Sequence, residues 1–286
     1  MESGSIGCAA VELMRSCATG RVTAVFERSA HLELDGVILT LGNLDLPGHP
    51  YTIRCPEFPR GLRRGQEFKV EEDAVIIPGC RRLELGQMDV FRSRVKVGAM
   101  AGLEEMQQAL QAVRYTVATA SFRDGFHSFV IASLHHGMMT QAVLPVIQRL
   151  TVAIREGDWE AMVEAGVDLA GVGEGLTPSG DDFLAGLVAA LRFHRTSGGP
   201  GPENRQLESL ASRARGRTSA FSAQNIASAA RGLVSDAVSE WLEHFHLGDS
   251  DALVDSTRRL LDFGHSSGVD TIAGMTTGLA AVLERW

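Results

Sequence analysis

The densest group of residues suited to chemistry lies in GVGEGLTPSGDDFLAG, residues 171–186. Its alternating glycines permit positive φ angles and a close approach of a ligand to the backbone. Thr177 followed by Pro178 predicts a helix N-cap and a first helical residue. The amides of a first helical turn lack helical partners, and the helix dipole favours a negative charge beside them. We therefore expect a small anion to bind here, at Gly173, Gly175, Thr177, Ser179 and Gly180.

Two neighbouring carboxylates, Asp181 and Asp182, fall in the same predicted first turn. Such a pair can bind Mg²⁺, act in acid–base catalysis or simply cap the helix. We take both as candidate catalytic residues. The segment is not a dinucleotide-binding fingerprint, because a helical pattern rather than a strand precedes it, and it is not a P-loop, because no GK[ST] follows.

A second copy of this motif lies near the end of the chain. SGVDTIAGM, residues 267–275, repeats Ser, Gly, Asp, Ala and Gly of SGDDFLAGL, residues 179–187, at the same relative positions. Asp270 thus corresponds to Asp182. We hypothesise that two buried helices pack near a pseudo-twofold axis, with their N-termini converging on one ligand and the two aspartates paired. Coincidence combined with ordinary helix capping is the alternative.

Further candidates surround the two copies. His265 precedes the second copy and could transfer a proton near neutral pH, although a lone histidine is often structural. Ser266, Ser267 and Gly268 are candidate substrate-binding residues of that copy. Thr218, Ser219 and Ser222 form a hydroxyl cluster before another helix, which could contact an anion or only cap the helix. Any metal, with Mg²⁺ the one considered, would be held by Asp181, Asp182 and Asp270.

The elements that position these residues predict an α+β protein. Residues 1–100 are predicted to form a short helix and six short strands, with Asp35–Gly36 as a hairpin turn, which indicates a small barrel- or sandwich-like domain. Residues 101–286 are predicted to be a mainly helical domain carrying the site, with a disturbance at Pro145 and a cap at Asp158.

Composition narrows the function classes. The formal net charge of −8 argues against a general nucleic-acid binder. The four cysteines show neither a CxxC pair nor a metal-like spacing, which favours free thiols in a reducing compartment. The N-terminus lacks the pattern of a signal peptide and no apolar run reaches the length of a membrane span, so we expect a cytoplasmic protein without membrane contact.

The segments GVGEGLTPSGDDFLAG, TSAFS and GHSSGVD resemble a bacterial family, long listed as a domain of unknown function, that includes a subunit of oxamate carbamoyltransferase from anaerobic allantoin breakdown. The resemblance covers roughly Leu169 to Leu279. It implies carbamoyl transfer between oxalurate and phosphate, giving oxamate and carbamoyl phosphate, together with partner subunits. It carries over no catalytic residues. Neither copy contains an arginine, which departs from the usual phosphate clamp.

Three functions remain open on these grounds. The chain could be a carbamoyltransferase subunit acting on small anions, for which helix N-termini and hydroxyls would suit the substrates. It could be a Mg²⁺-dependent hydrolase that uses Asp181, Asp182 and Asp270. It could also be a non-catalytic assembly subunit. Turnover with partner subunits would favour the carbamoyltransferase subunit. A bound divalent ion would favour the hydrolase, and inactivity of the isolated chain would favour the assembly subunit.

Overall fold

The computed structural model describes residues 3–93, 100–120, 125–131 and 137–285. The chain divides into two compact units, residues 1–94 and 95–286. Part of the segment SFRDGFHSFVIASLHHG, which the sequence leaves ambiguous, lies outside the described residues. Among the residues described, no helix has the length and apolar character needed to cross a membrane.

The first unit is a single curled sheet of nine strands with one short helix. The strands lie side by side in the order β8-β7-β6-β2-β3-β4-β5-β1-β9, so the half-barrel remains open between β8 and β9. The elements are β1 (Ser5–Gly7), α1 (Cys8–Ser16), β2 (Thr19–Val25), β3 (Ser29–Leu34), β4 (Val37–Asn43), β5 (Thr52–Cys55), β6 (Glu67–Glu71), β7 (Ala74–Ile76), β8 (Leu83–Glu84) and β9 (Asp89–Phe91).

The hairpin predicted at Asp35–Gly36 is confirmed. Both residues have positive φ, 48° and 74°, as a two-residue turn of type I′ requires, and Leu34 pairs with Val37 across it. Apolar side chains of the strands then form a core of their own, centred on Leu32, Leu39 and other fully buried residues. The α+β class is therefore confirmed, with a half-barrel where the sequence indicated a barrel or a sandwich.

In the described residues of the second unit, all the regular secondary structure is helical. Its elements are α2 (Leu103–Thr119), α3 (His127–Val130), α4 (Met138–Glu156), α5 (Trp159–Val167), α6 (Ser179–Thr196), α7 (Asn204–Ala214), α8 (Ala220–Ala230), α9 (Asp236–Leu247), α10 (Ser250–Leu261) and α11 (Ser267–Leu283). The proline at 145 does not interrupt α4, which continues through it.

Two helix junctions in this unit have the same construction. Gly157 ends α4 with a left-handed φ of 74°, and the Asp158 side chain then accepts a hydrogen bond from Ala161 N at the start of α5. Gly248 and Asp249 do the same between α9 and α10, where Asp249 accepts from Ala252 N. The predicted cap at Asp158 is confirmed, and both junctions combine a left-handed glycine with an N-cap aspartate.

These matching junctions belong to a repeat of five helices. Helix α5 packs on α7 as α10 packs on α2, and α6 packs on α8 as α11 packs on α3. The pairs α4–α5 and α9–α10 correspond in the same way, while α6 and α11 pack on each other. Helices α2–α6 thus correspond to α7–α11, and each half packs extensively on the other. These contacts extend the correspondence between the two sequence motifs to five helices in each half.

Candidate functional site

Helices α6 and α11 touch backbone to backbone. A Cβ at Gly186 would collide with the carbonyl oxygen of Thr271, and a Cβ at Gly274 would collide with that of Phe183. Residues 183 and 186 correspond to 271 and 274 in the sequence repeat, so the contact is reciprocal. This is the geometry of a local twofold axis, as hypothesised for the helices that carry the two motif copies.

The first turns of α6 and α11 lie side by side. The Thr177 and Ser267 hydroxyl oxygens are 3.2 Å apart. The hydroxyl of Ser267 lies beside the carboxyl group of Asp182, and the hydroxyl of Ser179 lies beside the carboxyl group of Asp270. Each aspartate therefore meets the opening serine of the other helix, which again is a reciprocal arrangement.

Asp270 is completely buried. Its Oδ1 accepts a hydrogen bond of 2.6 Å from the Phe126 amide, whereas its buried Oδ2 has no hydrogen-bond partner among the described residues. Burial raises the pKa of this carboxyl group, and the Phe126 amide and the hydroxyls of Ser179 and Ser266 lower it by less. An unpaired buried carboxyl oxygen is uncommon in proteins and costs free energy unless a ligand, water or proton satisfies it.

Asp182 is half-buried, and its Oδ2 is likewise buried without a hydrogen-bond partner in the described part of the chain. The pKa of Asp182 is raised to about 8, mainly by burial and also by the negative charges of Asp270 and Asp181, against the hydroxyls of Ser267 and Thr177, which lower it. At neutral pH this carboxyl group is therefore mostly protonated and can donate a hydrogen bond or a proton.

Asp181 has a different environment from its neighbour. Its Oδ1 accepts a hydrogen bond of 2.8 Å from the Gly171 amide, and its Oδ2 accepts one from the Thr218 hydroxyl. Both oxygens are thus engaged with the chain itself. Asp181 thus links Gly171, at the start of the glycine loop, and Thr218, two residues before α8, to the first turn of α6.

The glycine loop before α6 has positive φ at Gly171, Gly173 and Gly175. Its Leu176 carbonyl oxygen accepts hydrogen bonds from the hydroxyls of Ser219, at 3.1 Å, and Ser222, at 3.4 Å. Ser219 also accepts a hydrogen bond from the Ser222 amide and so caps α8. The hydroxyl cluster at 218–222 therefore holds the loop in place.

The start of α6 corrects one local expectation and adds a packing role for two glycines. Thr177 is not the N-cap, because α6 begins at Ser179 after Pro178 and the Thr177 hydroxyl meets Ser267 instead. The absence of a side chain at Gly180 and Gly268 serves packing, since a Cβ there would collide with the carbonyl oxygens of Leu169 and Leu260. These glycines admit the preceding backbone segment, and their part in substrate binding stays a prediction.

The remaining candidates separate into two groups. Ser266 and Ser267 lie at the α11 opening beside the two aspartates, whereas His265 is exposed in the turn before them. Across the described ranges, no three or more His, Cys, Asp or Glu side chains are grouped as metal ligands would be, and Asp181 faces Gly171 and Thr218. The structure thus brings Asp182 and Asp270 together and directs Asp181 elsewhere.

The helices that build this site fall within a match to a family model. Residues 169–279 match the family model described as oxamate carbamoyltransferase subunit AllH. The AllH match runs from the glycine loop into α11 and contains all three aspartates, and it confirms the resemblance carried by the sequence motifs. No curated protein and no solved structure matches the chain.

One part of the site lies outside the AllH match and was missed from the sequence. Gly125 and Phe126 come before α3, in the segment that the sequence leaves ambiguous, and the Phe126 amide binds Asp270. A backbone amide has no side-chain signature. The only available signal was the glycine itself, in front of an aromatic residue.

Proposed function

We propose that this chain is a subunit of a carbamoyltransferase that acts on small anions of the oxalurate, oxamate and carbamoyl phosphate type, and that its substrate binds where α6 and α11 open. The observation that carries the proposal is the reciprocal pair Asp182 and Asp270, each with a buried oxygen that the described residues leave unpaired. The AllH match to the surrounding helices supports the reaction class.

The site suits an anion in spite of its carboxyl groups. With its raised pKa, Asp182 is mostly neutral at pH 7 and can donate its O–H to a carboxylate or a carbonyl oxygen of the substrate. The hydroxyls of Thr177, Ser179, Ser266 and Ser267 supply further donors around it. The dipoles of two long helices, α6 and α11, favour negative charge at the same place.

The proposed chemistry assigns Asp182 as a general acid. When a phosphate oxygen attacks the carbamoyl carbon of oxalurate, a C–O bond forms and the C–N bond to oxamate breaks, with its electron pair passing to nitrogen. Asp182 donates its proton to that nitrogen, and the proton that phosphate loses restores the acid form, so the protons balance. A group with a pKa near 8 is well suited to this exchange at neutral pH.

Asp270 has a supporting role in this scheme. Its charge helps to keep Asp182 protonated, and its unpaired Oδ2 can accept a hydrogen bond from the carbamoyl or amide N–H groups of the substrate. Asp181, Thr218, Ser219 and Ser222 act as positioning residues that hold the glycine loop with Gly173 and Gly175.

The test measures carbamoyl phosphate formed from oxalurate and phosphate by the chain assembled with its partner subunits. We expect Asp182→Asn to lower kcat by about 10²–10⁴-fold, the usual contribution of a general acid. Asp251→Asn is the matched control, since Asp251 is an exposed first-turn aspartate of α10, and it should leave kcat unchanged.

Other outcomes would favour other functions. A complex of Asp182→Asn with full activity, together with an isolated wild-type chain that binds neither oxamate nor carbamoyl phosphate, would indicate an assembly subunit. Hydrolysis by the isolated chain that EDTA abolishes and Mg²⁺ restores would indicate the metal-dependent hydrolase.

A further inference from the structure

The turn before α3 makes an unusual contact with the site. Gly125 has a left-handed φ of 66°, and the next amide, that of Phe126, donates the 2.6 Å hydrogen bond to Asp270 Oδ1. A Cβ at position 125 would collide with this same Oδ1 and would lie 2.9 Å from the Ser266 Cβ. Only glycine therefore lets the turn come this close to Asp270.

The Phe126 side chain fixes where that amide lies. The ring is completely buried, and it packs edge-on against Phe183, with ring centroids 5.7 Å apart, and against Phe129, at 5.4 Å. Phe183 belongs to α6, whereas Asp270 belongs to α11. Phe126 thus contacts α6 through its ring and α11 through its backbone amide.

This contact gives the two oxygens of Asp270 different tasks. Oδ1 is occupied by the amide, and the buried Oδ2 is the one without a partner in the described structure. Asp182, at the equivalent place of the repeat, has no corresponding amide bond in the described part of the chain. In front of α8, it is the hydroxyl of Thr218 that binds a carboxyl group, and that group belongs to Asp181. The α3 turn therefore breaks the local twofold symmetry at the site.

We propose that Gly125 and Phe126 are positioning residues of the active site, which hold Asp270 by Oδ1 so that Oδ2 alone is presented to the substrate. This inference rests on the proposed function and adds a wall of the site that lies outside the matched family segment. Neither residue needs to touch the substrate, because both act through Asp270.

The experiment is a double-mutant cycle on the full chain, with oxamate binding measured by calorimetry. We expect Gly125→Ala and Asp270→Asn each to weaken binding by about tenfold or more, as loss of a hydrogen bond to a charged group does. The double variant should bind no more weakly than Asp270→Asn alone, because residue 125 acts through residue 270.

The control separates this effect from backbone strain. Gly198 has a φ of 99° with open space around its Cβ position, so Gly198→Ala introduces a left-handed alanine without the collision and should bind oxamate like the wild type. Replacing Phe126 by phenyllactic acid, which exchanges the amide N–H for an ester oxygen, should reproduce the loss seen for Gly125→Ala with every side chain retained.

The outcomes distinguish the two proposals. Wild-type protein that fails to bind oxamate overturns the proposed function and this role with it. Oxamate binding that is weakened by Asp270→Asn but is unaffected by Gly125→Ala, or additive losses in the double variant, overturns the positioning role and leaves the proposed function standing.

Discussion

Asp182 and Asp270 occupy equivalent positions of the repeat, yet their chemical surroundings differ. Asp270 is completely buried and tied to a backbone amide, whereas Asp182 is half-buried among hydroxyls and next to two other carboxyl groups. Repulsion between neighbouring carboxylates favours the protonated form of one of them. The site therefore combines one anchored carboxyl group with one that can exchange a proton.

The raised pKa of Asp182 predicts a stability change with a definite sign. The unfolded state loses this proton near the ordinary pKa of 3.8, whereas the folded state retains it up to about pH 8. The stabilisation is thus fully present below pH 3.8 and is lost as pH rises through 8. Asp182→Asn removes the dependence, so its Tm relative to wild type should rise between pH 4 and pH 8.

Thermal unfolding at several pH values measures this difference. A protein of this size gains roughly 2–4 °C in Tm for each kcal/mol of stabilisation. Asp251→Asn controls for the loss of an exposed first-turn aspartate. A Tm difference between Asp182→Asn and wild type that stays constant from pH 4 to pH 8 would mean that Asp182 is an ordinary ionised helix cap.

At the scale of elements, the close crossing of α6 and α11 depends on two glycines. Alanine normally stabilises a helix interior by about 1 kcal/mol relative to glycine. Here the added methyl group would collide with a carbonyl oxygen of the facing helix, which cannot turn aside as a side chain can. We expect Gly186→Ala and Gly274→Ala each to lower the free energy of unfolding by about 1–3 kcal/mol.

Urea denaturation tests this prediction, with Gly278→Ala as the comparison. A Cβ at Gly278 would meet leucine side chains, 2.7 Å from Leu187 Cδ1 and 3.4 Å from Leu191 Cγ, and these side chains can move. Gly278→Ala should therefore lower the free energy of unfolding by the least of the three variants. If Gly186→Ala and Gly274→Ala are more stable than wild type, the helices are farther apart than this crossing requires.

The same elements show how far the sequence can predict this structure. Helices and the longer strands follow from periodicity and turn residues, and the motif repeat indicated the α6–α11 pair directly. Strands β1, β8 and β9 have only two or three residues each, too few for a periodic signal. The correspondence between α2 and α7 is not visible as a matching sequence motif. Packing constrains the apolar face of a helix rather than particular residues.

The site was predictable to a similar extent. Asp182, Asp270 and the serines at the helix openings could be found because the repeat aligns them. The Phe126 amide could not, because its contact spans 144 residues of sequence and involves no side-chain donor. Thr177 was misassigned because a Thr–Pro pair favours a cap only when nothing else binds the hydroxyl, and here Ser267 does.

At the scale of the whole molecule, each unit has its own hydrophobic core. One cluster of buried residues comes entirely from residues 6–83 and the other entirely from residues 106–283. The five-helix repeat lies wholly within the second unit, together with every candidate site residue. Because each half of the repeat packs on helices of the other half, neither half is expected to fold alone.

This organisation predicts that residues 95–286 fold by themselves and retain the site. The isolated fragment should unfold cooperatively and bind oxamate with the affinity of the full chain. Asp182→Asn in the fragment should show the same rise in relative Tm between pH 4 and pH 8.

A shorter fragment that begins at residue 95 and ends after α6 should, in contrast, remain unfolded, because α6 has lost the α11 backbone against which Gly186 packs. Circular dichroism and calorimetry on the two fragments test both expectations. An unfolded 95–286 fragment would show that the half-barrel contributes to the stability of the helical unit, whereas a folded fragment that has lost oxamate binding would show that the half-barrel contributes to the site.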